Sequence, residues 1–268
     1  MTIEIGVILP TSTPDPARPI LGDVRASARF AEEVGLDSVW STDHLVASAP
    51  MLDSTVTLAT AAAVTDRISI GYNVILLALR PVAWAAKQIS TLQYVSGNRL
   101  IVGVGTGNPA HGDIGWRAAG ASFEDRGRHT DEALRVLPGL VTGQPTALAD
   151  GLEVTLAPGS AMPPVLVAGN STRGRRRAAT YGDGWITIQS DPAQLTKDIA
   201  ELQEFAAQRD RAPLPVSVVA LGLSADADKA ADQVSAFAAQ GVSRVILVPN
   251  GVDWQHDYEF AAKVRAAV

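Results

Sequence analysis

No cysteine occurs in the 268 residues. This excludes disulfides, thiolate metal sites and a cysteine nucleophile, and it fits a reducing cytoplasm. Basic residues are also in deficit, 22 Lys and Arg against 28 Asp and Glu, for a net charge of -6. The basic face that non-specific nucleic-acid binding requires is therefore not expected. No apolar run reaches the ~18 residues that cross a bilayer. Met1-Thr-Ile-Glu-Ile has no basic segment followed by a long apolar one, so no signal peptide is expected and the chain reads as cytoplasmic. His111, His129 and His256 show no metal-ligand spacing, and no metal site is predicted. Internal repeats, charge blocks and low-complexity linkers are absent, and residues 1–268 read as one domain at the upper end of the usual size.

What is present centres on Arg99-Leu-Ile-Val-Gly-Val-Gly-Thr-Gly-Asn108. Leu100, Ile101, Val102 and Val104 form the near-continuous apolar run of a parallel strand buried on both faces. Gly103, Gly105 and Gly107 then remove side chains where the chain leaves the sheet, so that a flat ligand can approach the backbone. A plain strand-end turn without a ligand and a dinucleotide fingerprint are the competing readings. Gly-x-Gly-x-Gly is not Gly-x-Gly-x-x-Gly, however, and no helix opens directly after Gly107.

Around this stretch the chain alternates. Strands are predicted at Ile3–Leu9, Ser38–Ser41, Ile68–Leu76, Arg99–Val104, Val165–Ala168, Gly184–Ile188, Val216–Leu221 and Arg244–Val248. Helices are predicted over 22–34, 54–64, 82–95, 122–140, 172–181, 192–209, 225–240 and 254–267. Pro109–Ala121 lacks a period and reads as a binding loop. Gln144–Met162 reads as an excursion with a small hairpin about Asp150-Gly151. Eight apolar strand-helix units in about 250 residues match an α/β fold of the (β/α)8 TIM barrel type, with a doubly wound open sheet as the alternative.

In a barrel the C-terminal strand ends carry the site. They deliver Pro10-Thr11, Asp43-His44, Asn73, Thr106 with Asn108, Gly169-Asn170-Ser171-Thr172, Gln189-Ser190 and Pro249-Asn250. Asp43-His44 is the pair with acid-base capacity: an imidazole takes a proton from a hydroxyl near neutral pH as hydride leaves the same carbon. Gly169–Thr172 precedes a helix, where free N–H groups and hydroxyls suit a phosphate, with an ordinary helix N-cap as the plainer reading. Arg173, Arg175 and Arg176 are candidate cationic contacts, against a solvated helix face as the plainer reading. Trp116 is a candidate ring cover, with simple packing the alternative.

The order Ala31-Glu-Glu-Val-Gly-Leu-Asp-Ser-Val-Trp-Ser-Thr-Asp-His44, Arg80-Pro81, Gly97-Asn-Arg-Leu-Ile-Val-Gly-Val-Gly-Thr-Gly107, Gly169-Asn-Ser171 and Tyr181-Gly-Asp-Gly-Trp185 resembles the bacterial-luciferase-like oxidoreductases. It resembles most closely their branch that uses the deazaflavin coenzyme F420. The likeness covers nearly the whole chain and implies a barrel with a flavin or deazaflavin at its C-terminal mouth. It implies His44 as catalytic acid-base and Asp43 as its orienting partner or a cofactor contact. Behind the ring it implies Asn73 and Val74, and it puts the tail phosphate on Gly169, Asn170, Ser171 and Thr172; Thr106, Gly107 and Asn108 at the glycine-rich turn and Arg173 beside the phosphate turn are further candidate cofactor contacts from their placement. It also implies a non-prolyl cis peptide at Asn73–Val74 and a homodimer. Two departures stand out. Sugar-phosphate dehydrogenases of this family carry a glutamate acid after the Gly-Thr-Gly turn, where this chain has Asn108. Relatives also insert a long segment after the seventh strand, whereas Leu221-Gly-Leu-Ser224 leads directly to a helix, which predicts a more open pocket. The expected activity is F420-dependent hydride transfer with a small organic substrate. The alternatives are an FMN-dependent monooxygenase and a catalytically degenerate flavin- or deazaflavin-binding barrel.

Overall fold

A computed structural model describes residues 3–12, 22–47, 49–189, 191–249 and 253–268. Its strands are β1 (Glu4–Ile8), β2 (Ser38–Ser41), β3 (Ser69–Ile75), β4 (Leu100–Val104), β5 (Thr146–Ala147), β6 (Glu153–Val154), β7 (Val165–Ala168), β8 (Gly184–Thr187), β9 (Val216–Ala220) and β10 (Val242–Leu247). Its α-helices are α1 (Val24–Glu33), α2 (Ser54–Ala62), α3 (Val82–Val95), α4 (Ile114–Ala118), α5 (Arg126–Thr142), α6 (Thr172–Tyr181), α7 (Pro192–Ala207), α8 (Ala227–Ala239) and α9 (Trp254–Ala267). Eight strands close in the order β1-β10-β9-β8-β7-β4-β3-β2, and β1 pairs in parallel with both β10 and β2. That double pairing removes the edges an open sheet would keep, so the architecture is the (β/α)8 barrel. β5 and β6 form the antiparallel hairpin expected about Asp150-Gly151, outside the barrel.

The apolar runs work on both faces. Ile101, Leu166, Ile186, Val219 and Ile246 pack with Trp40 into one cluster, while Leu100, Val102, Val165 and Val167 join the larger core that includes the helices. Alternate strand positions thus serve the barrel interior and the barrel-helix layer. Each fully buried side chain of this kind contributes roughly 1.5–3 kcal/mol. Trp40 is the largest interior side chain, and glycine makes room for it: a Cβ on Gly71, its register partner on β3, would lie 2.3 Å from the indole ring. Trp40 Nε1 donates to Ser38 Oγ at 2.9 Å. Arg244, on β10, lies with its guanidinium 5.5 Å from the Trp40 ring centroid and pairs with Glu4 at the start of β1.

The helices begin where side chains can serve their free N–H groups. Asp23 accepts from Arg25 N and Ala26 N ahead of α1, and Asp191 accepts from Ala193 N beside Pro192 at the start of α7. Helix α5 departs from expectation, opening at Arg126 rather than Ser122. Ser122 Oγ accepts from Asp125 N at 3.1 Å and donates to the Asp125 carboxylate at 3.0 Å, which closes a turn before the helix instead of capping it. Residues 109–121 also differ from an aperiodic loop. They hold a 3-10 turn at Pro109–His111 and the short helix α4. No helix among the described residues is long and apolar enough to cross a membrane.

Candidate active site

The C-terminal end of β2 turns into Thr42-Asp43-His44. Asp43 is buried, and both carboxylate oxygens are engaged: Oδ1 accepts from Ser54 Oγ at 3.0 Å, Oδ2 from Leu76 N at 2.9 Å, and an Arg80 guanidinium nitrogen donates to both at 3.0 and 2.9 Å. An orienting bond from Asp43 to His44 is one of the roles expected from the sequence. The carboxylate instead ties the β2 end to the β3 end and to the start of α2, and so fixes the backbone that carries His44.

His44 is half-buried at this rim. Its ring lies edge-on to His111, with centroids 4.4 Å apart and planes at 64°. Burial is the main cause holding its pKa below the ordinary value near 6.5; a charge on His111 adds to the lowering, and Asp43 opposes it. The imidazole is thereby kept neutral and able to accept a proton at neutral pH. In the sequence His111 stands out only by lacking metal-ligand spacing. Its approach to His44 depends on the turn at Pro109–His111, for which spacing gave no signal.

Asn73 and Val74 lie half-buried at the end of β3, the peptide between them is cis, and the β3–β4 register shifts between Tyr72 and Ile75. Opposite them, a Cβ on Gly105 would lie 2.4 Å from Val74 Cγ2, so glycine is what allows Val74 to close over the β4 end. Thr106 and Gly107 are half-buried just beyond, and Asn108 is exposed. The Asn108 side chain accepts from Ala110 N at 3.0 Å and caps the turn that ends in His111. Trp116 is packing rather than a ring cover: it is buried against Leu76 and Leu79, with Phe123 edge-on to it at 6.0 Å.

At the end of β7, Ser171 caps α6 by accepting from Gly174 N at 3.2 Å. The Asn170 side chain is occupied, donating to Ile188 O at 2.5 Å and accepting from Thr187 Oγ1 at 3.0 Å, which joins the β7 and β8 ends. The Thr172 hydroxyl donates to Glu201. Among the described residues, no acceptor takes the backbone N–H groups of residues 170–173. The arginines divide three ways. Arg175 and Arg177 are buried and paired with Asp198 and Glu201 and with Asp131 respectively, contrary to a solvated helix face. Arg176 lies over the Phe205 ring at 4.9 Å. Arg173 is exposed and makes no ion pair among the described residues. It shares with Thr106 and Ser171, and with Arg126 and Arg177, a cleft of about 540 Å³. Two further rim positions, Ser190 and Asn250, lie outside the described residues.

The site therefore combines an imidazole on the β2 end, a narrow β3–β4 rim and, among the described residues, unpaired N–H donors beside an unpaired arginine. Residues 3–265 match the luciferase-like monooxygenase family. The chain belongs to that family. Among curated relatives, the 5,10-methylenetetrahydromethanopterin reductase of Methanolobus tindarius is 27% identical over 250 residues, covering 89% of this chain and 73% of that protein. An F420-dependent hydroxymycolic acid dehydrogenase of Mycobacterium tuberculosis is 28% identical over 222 residues, covering 74% and 59%. The structure of the coenzyme F420 dependent tetrahydromethanopterin reductase from Methanopyrus kandleri superposes with a TM-score of 0.81 over 98% of each chain, at 16% identity. This member of the luciferase-like family is an oxidoreductase.

Proposed function

We propose that this oxidoreductase uses coenzyme F420 and moves a hydride between the deazaflavin C5 and a small organic substrate, acting as one barrel domain. The observation that carries the proposal is the set of four backbone N–H groups at residues 170–173 with no acceptor among the described residues, opening beside Arg173 and Thr106. A phosphate at a helix N-terminus satisfies such donors and is favoured by the helix dipole. The F420-dependent relatives support the choice of cofactor.

When bound, the deazaflavin supplies a two-electron hydride acceptor or donor. The protein's own residues do the rest. His44, neutral at its rim, takes the hydroxyl proton as an alcohol is oxidised and returns it in the reverse direction; positioned acid-base groups contribute roughly 10²–10⁴-fold. Asp43 holds the His44 backbone through Ser54, Leu76 and Arg80. Asn73, Val74, Gly107 and Asn108 line the ring side of the mouth. Asn170, Ser171 and Thr172 offer backbone N–H groups from the turn that Gly169 opens, and Arg173 offers a guanidinium to the phosphate.

A homodimer is part of the proposal. On α3, Trp84, Gln88, Thr91 and Val95 fall on one exposed stripe, and the neighbouring α2 exposes Val56 and Ala59. None of these is charged, and Trp84 and Val56 are 68% and 66% exposed. Large exposed apolar side chains grouped on adjacent helices mark protein contacts.

Calorimetric titration with F420 and with FMN, side by side, tests the cofactor. Tight binding of F420 alone is expected. Tight FMN binding alone moves the protein to oxygen-dependent chemistry, and binding of neither ends both enzyme readings. His44→Ala is expected to abolish turnover with F420 affinity retained. F420 binding without turnover of any alcohol, aldehyde or enone would leave the degenerate barrel.

A further inference from the structure

The two imidazoles at the mouth stand apart from every other acid-base group there. Asp43, the adjacent carboxylate, has both oxygens committed to Ser54, Leu76 and Arg80. The Asn108 amide is occupied in capping the Pro109–His111 turn. That turn is also held by His111 N donating to Asn108 O at 3.1 Å, and it stops at Gly112 with φ +68°. Its effect is to press the His111 ring against His44 at 4.4 Å. His111 Nδ1 is buried with no hydrogen-bond partner among the described residues. A buried, unpaired ring nitrogen is costly when its only purpose is packing.

We propose that His111 is a positioning residue for His44: the capped turn sets the two rings so close that a proton on one disfavours a proton on the other. This rests on His44 being the acid-base group. Its consequence is that His44 is biased toward its neutral, proton-accepting form while the site awaits an alcohol substrate. With the deazaflavin bound as hydride acceptor, the hydroxyl proton of the alcohol being oxidised would go to a His44 nitrogen. The charge formed there disfavours a second one on the neighbouring ring, and release of that proton to water resets the pair. The charges acting on His44 are few. Asp43, from its own loop, favours the protonated form and His111 disfavours it. Arg80, from the segment after β3, is paired with Asp43. Asp113 and Arg117, around α4, are exposed to water.

The test needs neither cofactor nor substrate. The four histidines are followed by NMR through their ring Cε1–H signals in the ligand-free protein from pH 4.5 to 9, and assigned by single substitutions. In His111→Gln the His44 midpoint is expected to rise by on the order of half to one pH unit, the size of effect between unit charges about 4 Å apart in a watery environment. His44→Gln is expected to raise the His111 midpoint by the same amount, because coupled sites act reciprocally. His111→Phe keeps a ring in place without a charge and should reproduce the His111→Gln shift. An unmoved His44 midpoint in both His111 variants overturns the proposal, as does a shift in one direction without its reciprocal. If F420 is bound, the acid limb of kcat/KM should follow the His44 midpoint upward in His111→Gln. Reciprocal shifts in a protein that binds no F420 would support the pair while ending the cofactor reading.

Discussion

Removing the Asp43 carboxylate should be the most costly single change at the site that touches no reacting atom. Asp43 is 5% exposed overall, and its side chain is only 3% exposed against 20% for Arg80. Asp43→Ala leaves three buried or half-buried donors behind: the Ser54 hydroxyl, the Leu76 N–H and the Arg80 guanidinium. Breaking a buried ion pair from one side costs about 3–5 kcal/mol, and the residual water contact of Arg80 puts this case at the lower end, about 3 kcal/mol. At about 2–4 °C per kcal/mol for a chain of this size, the thermal midpoint should fall by roughly 6–12 °C. Scanning calorimetry of Asp43→Ala, Arg80→Met and the double variant measures both the loss and the coupling. The double variant should be more stable than the sum of the single losses implies, since it no longer buries an unpaired cation. A loss under ~0.5 kcal/mol, within the range of ordinary surface substitutions, would refute the reasoning. So would two strictly additive single losses.

Four further outcomes follow from the same geometry. Gly71→Ala adds a Cβ at 2.3 Å from the Trp40 ring inside a filled barrel, and should lower stability by about 1–3 kcal/mol by urea denaturation; an unchanged midpoint would mean the indole moves aside freely. Arg173→Glu should weaken F420 by about 10–100-fold in calorimetric titration, the loss of one charge-assisted contact, while Arg176→Glu, whose guanidinium lies over Phe205, leaves affinity unchanged. Trp84→Glu should convert a dimer to a monomer in sedimentation velocity, and a dimer persisting at low micromolar concentration would locate the interface elsewhere. The lowered pKa of His44 means that the unfolded chain binds more protons than the folded one below pH ~6.5, so stability rises with pH through that window and levels off above it. His44→Gln should remove that portion of the slope in denaturation midpoints taken from pH 5 to 8.

What the sequence disclosed and what it hid divide along one line. Strand bodies, helix lengths and the closed barrel follow from patterns repeated over many residues, so Val82–Val95, Val165–Ala168, Thr172–Tyr181 and Trp254–Ala267 are each read to the residue. The rim is built from single contacts between distant segments, and no periodicity encodes those. The segment from Arg173 to Arg177 reads as a basic helix face. Only the fold brings Asp198, Glu201 and Asp131 to Arg175 and Arg177, sets Arg176 over Phe205, and so leaves Arg173 exposed without a counter-charge among the described residues. Asn170 and Thr172 are in sequence part of a phosphate turn, yet their side chains bond Ile188, Thr187 and Glu201, so that only backbone N–H groups remain for a ligand. Asn108 is the sharpest case. In sequence it reads as an acid gone missing, because an amide gives up no proton. In the fold that amide caps the turn that brings His111 to His44, so the substitution that removes one proton donor also positions another titratable ring. Residue type alone therefore misstates the chemistry of this rim, and the turn at 109–111 is the element whose geometry decides it.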